Sequence, residues 1–311
     1  MRKNFLFTAA FLVLLFFMYH VANAMHLSSL NRILYLDTFE SGCISAFWDK
    51  ECAGASYSMQ VLEAPADVGR FALRMELRKS DKNVSHSKRT EISLPEEKPL
   101  QEHYYSFRTY LPASGSEDYA ADTNSAEIIT QWHNIPDPGE EWTSPPLALG
   151  TKDGRYYIGR CWDDSEITST EQMKAKGNNS RHDLGSYAAD KGQWVDWVFH
   201  VKWGWLASQD PILEAYKNGH KVLDCTGLPN MTNDQSGVYM KLGLYKWDWN
   251  DNPDMSSVSS RVIYYDNIKV ENIKNTSDRK TGLISSCVQA ATWAPTPSTG
   301  QNMTRLWPIM E

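Results

Sequence analysis

Cysteine is scarce in this chain, and so is everything that usually accompanies a zinc site. There are 5 cysteines in 311 residues, with no C-x-x-C spacing and no histidine cluster, so a Cys/His metal centre is not expected. Cys43 and Cys52 are close enough in sequence to form a local clip. Cys161 and Cys225 can pair if their strands are neighbours, which leaves Cys287 over, and connectivity stays open. Basic residues are the minority, 31 Lys and Arg against 38 Asp and Glu, for a formal net charge of −7. That balance argues against nucleic acid as a partner, although a local basic cleft on an acidic protein still admits an anionic polymer. A membrane-spanning run is missing too. The apolar stretch from about Phe5 to Tyr19 falls short of the roughly 20 residues a spanning helix needs, and no second one follows. Preceded by Arg2 and Lys3 and followed by Ala22-Asn-Ala24, it reads as a secretory signal occupying residues 1–24. The expectation is an exported protein without a membrane partner: extracellular, or periplasmic in a Gram-negative host. Five N-x-S/T sequons (Asn83, Asn178, Asn230, Asn275, Asn302) agree with export from a glycosylating host.

Long helical patterns and internal repeats are also absent, and only short stretches such as Thr168 to Ala175 read as helix. What is present instead is alternation. Leu34–Glu40, Phe71–Arg78, Lys88–Leu94, Tyr104–Leu111, Glu127–His133, Tyr156–Arg160, Trp194–Trp203, Tyr239–Trp249 and Val262–Val270 all read as strands separated by turn signals. Leu213–Tyr216 and His220–Leu223 flank Asn218-Gly219, a strong type I′ hairpin signal. The series predicts an all-β domain over residues 25–272, an antiparallel β-sandwich or jelly roll (concanavalin-like) with a concave cleft. A Ser/Thr/Pro-rich tail follows over residues 273–311. With 12 Trp and 15 Tyr, the chain has more aromatics than such a core usually needs.

Three of these strands carry reactive residues opposite an apolar face. In Lys88–Leu94, Thr90, Ile92 and Leu94 point to the core, and Arg89, Glu91 and Ser93 share the other side. In Glu127–His133, Ile128 and Trp132 lie opposite Gln131 and His133. In Tyr239–Trp249, a period of two places Tyr239, Lys241, Gly243, Tyr245, Trp247 and Trp249 on one face. Gly243 in the middle leaves room for something to lie across the strand. Phenols and indoles suit sugar rings, and Tyr239, Trp247, Trp249 and Glu91 are the expected substrate-binding residues.

Taken singly, each of these is ordinary: Arg89 beside Glu91 is a surface ion pair, and Lys241 a solvated lysine. Together they supply one reaction, β-elimination on a uronic acid. The C5 proton lies beside a carboxylate, and its removal builds charge on a group already negative. Arg89 and Gln131 are candidates to neutralise that carboxylate. His133 is a candidate base, and Tyr245 an acid or base whose pKa Lys241 can depress. On an extended strand the backbones of Lys241 and Tyr245 are about 13 Å apart, so that effect needs the side chains to lean together.

The segments Arg89-Thr-Glu-Ile-Ser, Gln131-Trp-His133 and Tyr239-Met-Lys-Leu-Gly-Leu-Tyr245 resemble, in order and spacing, the three motifs of jelly-roll polysaccharide lyases. These include alginate lyases and the heparin lyase I and glucuronan lyase families. Trp194–Trp203 and Tyr264–Val270 look like later strands of the heparin lyase I-like group. The resemblance implies that Arg89 and Gln131 contact the uronate carboxylate. It implies that His133 neutralises or acts as base, that Tyr245 is the proton donor or both base and acid, and that Lys241 lines the cleft. The chain departs from the alginate lyase pattern at Tyr245-Lys-Trp247 and at Ser93, and it lacks the Lys/Arg cluster that sulfated heparin calls for. A glucuronan-type polymer is therefore the leading substrate, with heparin- or alginate-type polymers behind it. No catalytic cofactor is expected. The resemblance implies a structural Ca²⁺ between the first and last strands, for which Glu40 and Asp266 are the candidates, and a monomer is expected. The rival readings are a non-catalytic, lectin-like carbohydrate-binding sandwich and, behind it, a hydrolase. The hydrolase requires two carboxylates about 5–10 Å apart, and no closely spaced Glu-x-Asp-x-x-Glu run is present.

Overall fold

A computed structural model describes residues 33–65 and 69–273. The expected signal segment, the tail beyond residue 273, Cys287 and the sequons at Asn275 and Asn302 lie outside the described residues. Within them, the strands form two antiparallel sheets packed face to face. The larger, eight-stranded sheet runs β13 (His220–Asp224), β12 (Ile212–Lys217), β11 (Trp194–Lys202), β6 (Glu102–Tyr110), β15 (Ser260–Asn272), β4 (Phe71–Arg78) and β3 (Met59–Glu63). Its last member, β1 (Ile33–Asp37), also pairs with β15. The seven-stranded sheet runs β10 (Asn179–Ser186), β9 (Arg155–Cys161), β8 (Leu147–Lys152), β7 (Glu127–His133), β14 (Tyr239–Tyr245), β5 (Arg89–Ser93) and β2 (Asp49–Glu51). No helix among the described residues is long and apolar enough to cross a membrane.

Alternation drives the sandwich. Leu73, Met75 and Leu77 of β4, Ile263 and Tyr265 of β15, and Tyr105 and Phe107 of β6 meet Ile92, Trp132, Met240, Leu242 and Leu244 from the other sheet. Each such side chain stabilises the fold by roughly 1.5–3 kcal/mol. Trp132 is the pivot of this layer, edge-on to Tyr105 at 5.2 Å and tilted on Phe199 at 4.8 Å. The hairpin between β12 and β13 turns on Asn218 (φ 49°) and Gly219 (φ 76°), both in the left-handed region a type I′ turn requires.

Several expectations are corrected. The strand read as Tyr239–Trp249 ends at Tyr245; Trp247 caps a short helix, Asp248–Asp251. In β7 the register against β8 shifts between Ile128 and Thr130. The bulge re-aims the chain, so Ile129 enters the core while Ile128 joins a small cluster on the other face. Gly243 is demanded by the backbone and not by a ligand. Its φ is +137°, and a Cβ there would run into Thr90 O and Glu91 Cα of β5. Neither proposed cysteine pair forms: Cys52, Cys161 and Cys225 are free thiols, and Cys43 is disulfide-bonded to none of them. The Asn230 sequon is buried. Its side chain donates to the Lys202 and Ile212 carbonyls and accepts from Gly204 N–H, so it ties loops together.

Candidate active site

The three motif-bearing strands are adjacent at the middle of the seven-stranded sheet, and cross-strand register puts their reactive residues on its open face. Lys241 of β14 lies opposite both Ser93 of β5 and Gln131 of β7. Tyr245 lies opposite Arg89 and Ile128, and Tyr239 opposite His133. Arg89, Gln131, His133, Lys241 and Tyr245 are thus brought together.

The centre of the face is a cluster of four charges. Lys241 Nζ lies 2.9 Å from Glu91 Oε2 and 2.6 Å from Glu51 Oε2. Arg89 Nη1 lies 3.5 Å from Glu91 Oε2 and 3.3 Å from Glu51 Oε2. Glu91 also accepts a hydrogen bond from Gln131 Nε2. Glu91 was expected to touch substrate, but its side chain is only 2% exposed and its oxygens are occupied by Lys241, Arg89 and Gln131. It acts as the anchor of the cluster. Gln131 is likewise turned toward Glu91, to which its Nε2 donates. Its Oε1 is buried without a protein partner, an acceptor suited to a sugar hydroxyl. Arg89 Nε is a buried donor with no partner.

His133 sits at one end of this cluster. Its Nδ1 is 2.9 Å from the Asn134 carbonyl oxygen. A carbonyl can only accept, so Nδ1 carries the proton and Nε2 keeps its lone pair. Burial, with Lys241 and Arg89 adding to it, pushes the imidazole down to about 4, and the ring is neutral at physiological pH. Tyr239 stacks on it at 6.0 Å, and Trp142, from the loop after β7, meets it edge-on at 5.4 Å.

Tyr245 occupies the other end. The Arg89 guanidinium lies 4.5 Å from its ring centroid, a cation–π contact. Burial raises the phenol pKa, and Arg89 and Lys241 offset this only in part. The net direction is opposite to the depression expected from Lys241: desolvation outweighs the cation, and the phenol keeps its proton. Around Tyr245, Ala126, Ile128, Ala148, Tyr157 and Trp247 form an apolar patch on the open face, with the Arg181 guanidinium 3.8 Å from the Tyr157 ring. Trp247 belongs to this patch at 5.6 Å from Tyr245. Trp249 does not. It is buried in the main core, and its Nε1 donates to Ser256 Oγ at 2.7 Å, because the helical turn after Tyr245 rotates it inward.

The turn is held from beneath. Lys246, fully buried, lies 2.7 Å from Asp122 and 3.3 Å from Glu127, and Arg261 lies 2.8 Å from Glu127. Lys246, the residue following Tyr245, is therefore a buried cation that fixes the exit of β14. Glu51, Trp142 and this buried network went unforeseen. Each depends on contacts far apart in sequence; the Glu51–Lys241 pair spans 190 positions.

The expected calcium ligands meet away from this face. Glu40 Oε1 accepts from the Arg70 and Phe71 N–H groups, and the space above the Gly69 Cα opens onto both Glu40 Oε1 and Asp266 Oδ2. Burial raises Asp266 to about 6, and Glu40 and Asp37 add to it. Among the described residues no group of three or more Asp, Glu, His or Cys is poised for a metal. Glu40 and Asp266 are carboxylates, the donor type that a hard, oxygen-seeking cation such as Ca²⁺ takes.

A family model described as polysaccharide lyase matches residues 39–269, well over half of the chain. The chain belongs to the polysaccharide lyases. Among solved structures, the endo-β-1,4-glucuronan lyase of the fungus Trichoderma reesei is similar in fold, with a TM-score of 0.57 and 16% identity over 74% of this chain and 96% of that one. The alginate lyase Aly36B aligns more loosely, with a TM-score of 0.45 and 14% identity over 77% of this chain and 96% of that one. The Chlorella virus alginate lyase vAL-1 aligns at 0.39 and 11%, covering 70% and 93%. No curated protein matches the chain. This polysaccharide lyase is thus a β-sandwich whose motif residues converge on one sheet face.

Proposed function

We propose that this lyase is an exported enzyme that cleaves a uronic-acid polymer by β-elimination, with a β-linked glucuronan-type chain as its lead substrate. One observation carries the reading: a neutral histidine with a free Nε2 and a protonated tyrosine flank two buried cations on a single sheet face. The uronate carboxylate binds against Arg89 and Lys241, which stabilise the charge that builds as C5 loses its proton. His133 Nε2 takes that proton, the C4=C5 double bond forms, the C4–O4 bond breaks, and Tyr245 protonates the departing O4. Both groups rise from the same sheet face, at opposite ends of the Arg89–Lys241 pair. The apolar patch around Tyr245 offers a surface for a neighbouring sugar ring. The fold likeness to a glucuronan lyase agrees with this substrate class.

The test is incubation of the purified protein with glucuronan, alginate and heparin, following the ultraviolet absorbance of the conjugated double bond. Rising absorbance, fastest with glucuronan, is expected. New reducing ends without absorbance mean hydrolysis, and binding without cleavage means a lectin; either overturns the proposal.

A further inference from the structure

We propose that Glu51 is a built-in stand-in for the substrate carboxylate, occupying the seat between Arg89 and Lys241 until a uronate displaces it. This rests on the elimination reading above and names a residue of the same site.

The charges of the seat support the assignment. Arg89 and Lys241 contribute two positive charges. Glu91 lies beneath them, closed off from solvent, with Gln131, Lys241 and Arg89 on its oxygens, and it cannot leave. The three together carry one surplus positive charge, enough for a single carboxylate. Glu51 now supplies it. A single oxygen, Oε2, reaches both cations, at 2.6 Å and 3.3 Å. Against its burial, which acts to raise it, the cations hold this carboxyl at about 2.

Glu51 also differs from Glu91 in being able to move. It ends a three-residue strand at the edge of the sheet, and 34% of its side chain is open to solvent. A uronate binding while Glu51 stayed in place would put three carboxylates on two cations, leaving a net negative charge where the elimination adds more. With Glu51 swung out, the substrate carboxylate restores neutrality. Arg89 Nε, buried and unpartnered, is a further donor already present at the seat.

The experiment measures binding of D-glucuronate and of acetate to wild type, Glu51→Gln and Glu51→Ala by calorimetry, and KM for the polymer by absorbance. Glu51→Gln keeps the volume should Glu51→Ala fold poorly. Removing a tethered competitor is expected to strengthen monocarboxylate binding about tenfold or more, because a tethered group acts at millimolar or higher effective concentration. KM should fall in parallel. Unchanged monocarboxylate affinity in both variants overturns the proposal, as does a lowered kcat with unchanged KM, which would make Glu51 a positioning residue. The calorimetric readout needs no turnover. If no polymer is cleaved but glucuronate binds the variants more tightly, the carboxylate seat stands and the elimination reading fails.

Discussion

Replacing Lys246 with methionine tests how strongly the catalytic strand depends on the charges beneath it. In wild type, Lys246 and Arg261 face Asp122 and Glu127, two cations and two anions, all buried. Methionine fills much of the lysine volume but leaves one uncompensated negative charge. Breaking a buried pair by removing one partner costs about 3–5 kcal/mol. For a domain of this size, with about 2–4 °C of Tm per kcal/mol, the loss is roughly 6–20 °C. Glu127 is held at about 2 by Arg261 and Lys246 against its burial. Losing one of these cations moves its pKa upward, so the stability gap between variant and wild type should narrow as pH falls. Thermal melts by circular dichroism at pH 7 and pH 5 measure both effects. Arg155→Ala is the control. It breaks the solvent-exposed Arg155–Asp183 pair, and its Tm should stay within error of wild type, as expected for a surface ion pair. A Lys246→Met variant that melts with wild type, or a gap that widens at low pH, would refute the view that this network is a paired, buried unit.

Three further outcomes are expected. The His133 pKa of about 4 lies below the ordinary histidine value near 6.5, so between those pH values the unfolded chain binds more protons. The His133 contribution to stability is therefore complete above about pH 6.5 and is lost as pH falls toward 4; urea melts of His133→Asn should lack that slope. The acid limb of kcat/KM should fall near pH 4–5, and a limb centred at 6.5 would show that His133 is not the base. Finally, we propose that Ca²⁺ binds at Glu40 and Asp266. It should raise Tm, chelation should reverse the gain, and Asp266→Asn should abolish the response without changing KM.

The sandwich was legible wherever burial on one face wrote a period of two, as in β6 and β11. Strands without that signature escaped notice. In β8, Leu147–Thr151 is buried throughout, and the three polar residues of β2 and the polar β10 lie at sheet edges. Extending the alternation past Tyr245 misplaced Trp249, because nothing local announced that Lys246 would be pulled inward by Asp122 and Glu127. The motif residues were visible as a set because each lies on one of three strands that pair side by side. Their electrostatics were not, since the cation pair Arg89–Lys241 is balanced by Glu51 from an edge strand remote in sequence and the direction of the Tyr245 shift depends on burial.

Single-turnover absorbance with Tyr245→Phe, set beside polymer affinity for the same protein, measures the proton donation to O4 directly. The phenolic hydroxyl is the only group removed, and the ring, the Arg89 contact and the apolar patch remain. The expected result is a rate lower by about 10²–10⁴, the range for a lost general acid or base, with affinity and Tm close to wild type. A Tyr245→Phe enzyme that forms the unsaturated product at the wild-type rate would contradict the assignment of Tyr245 as the acid.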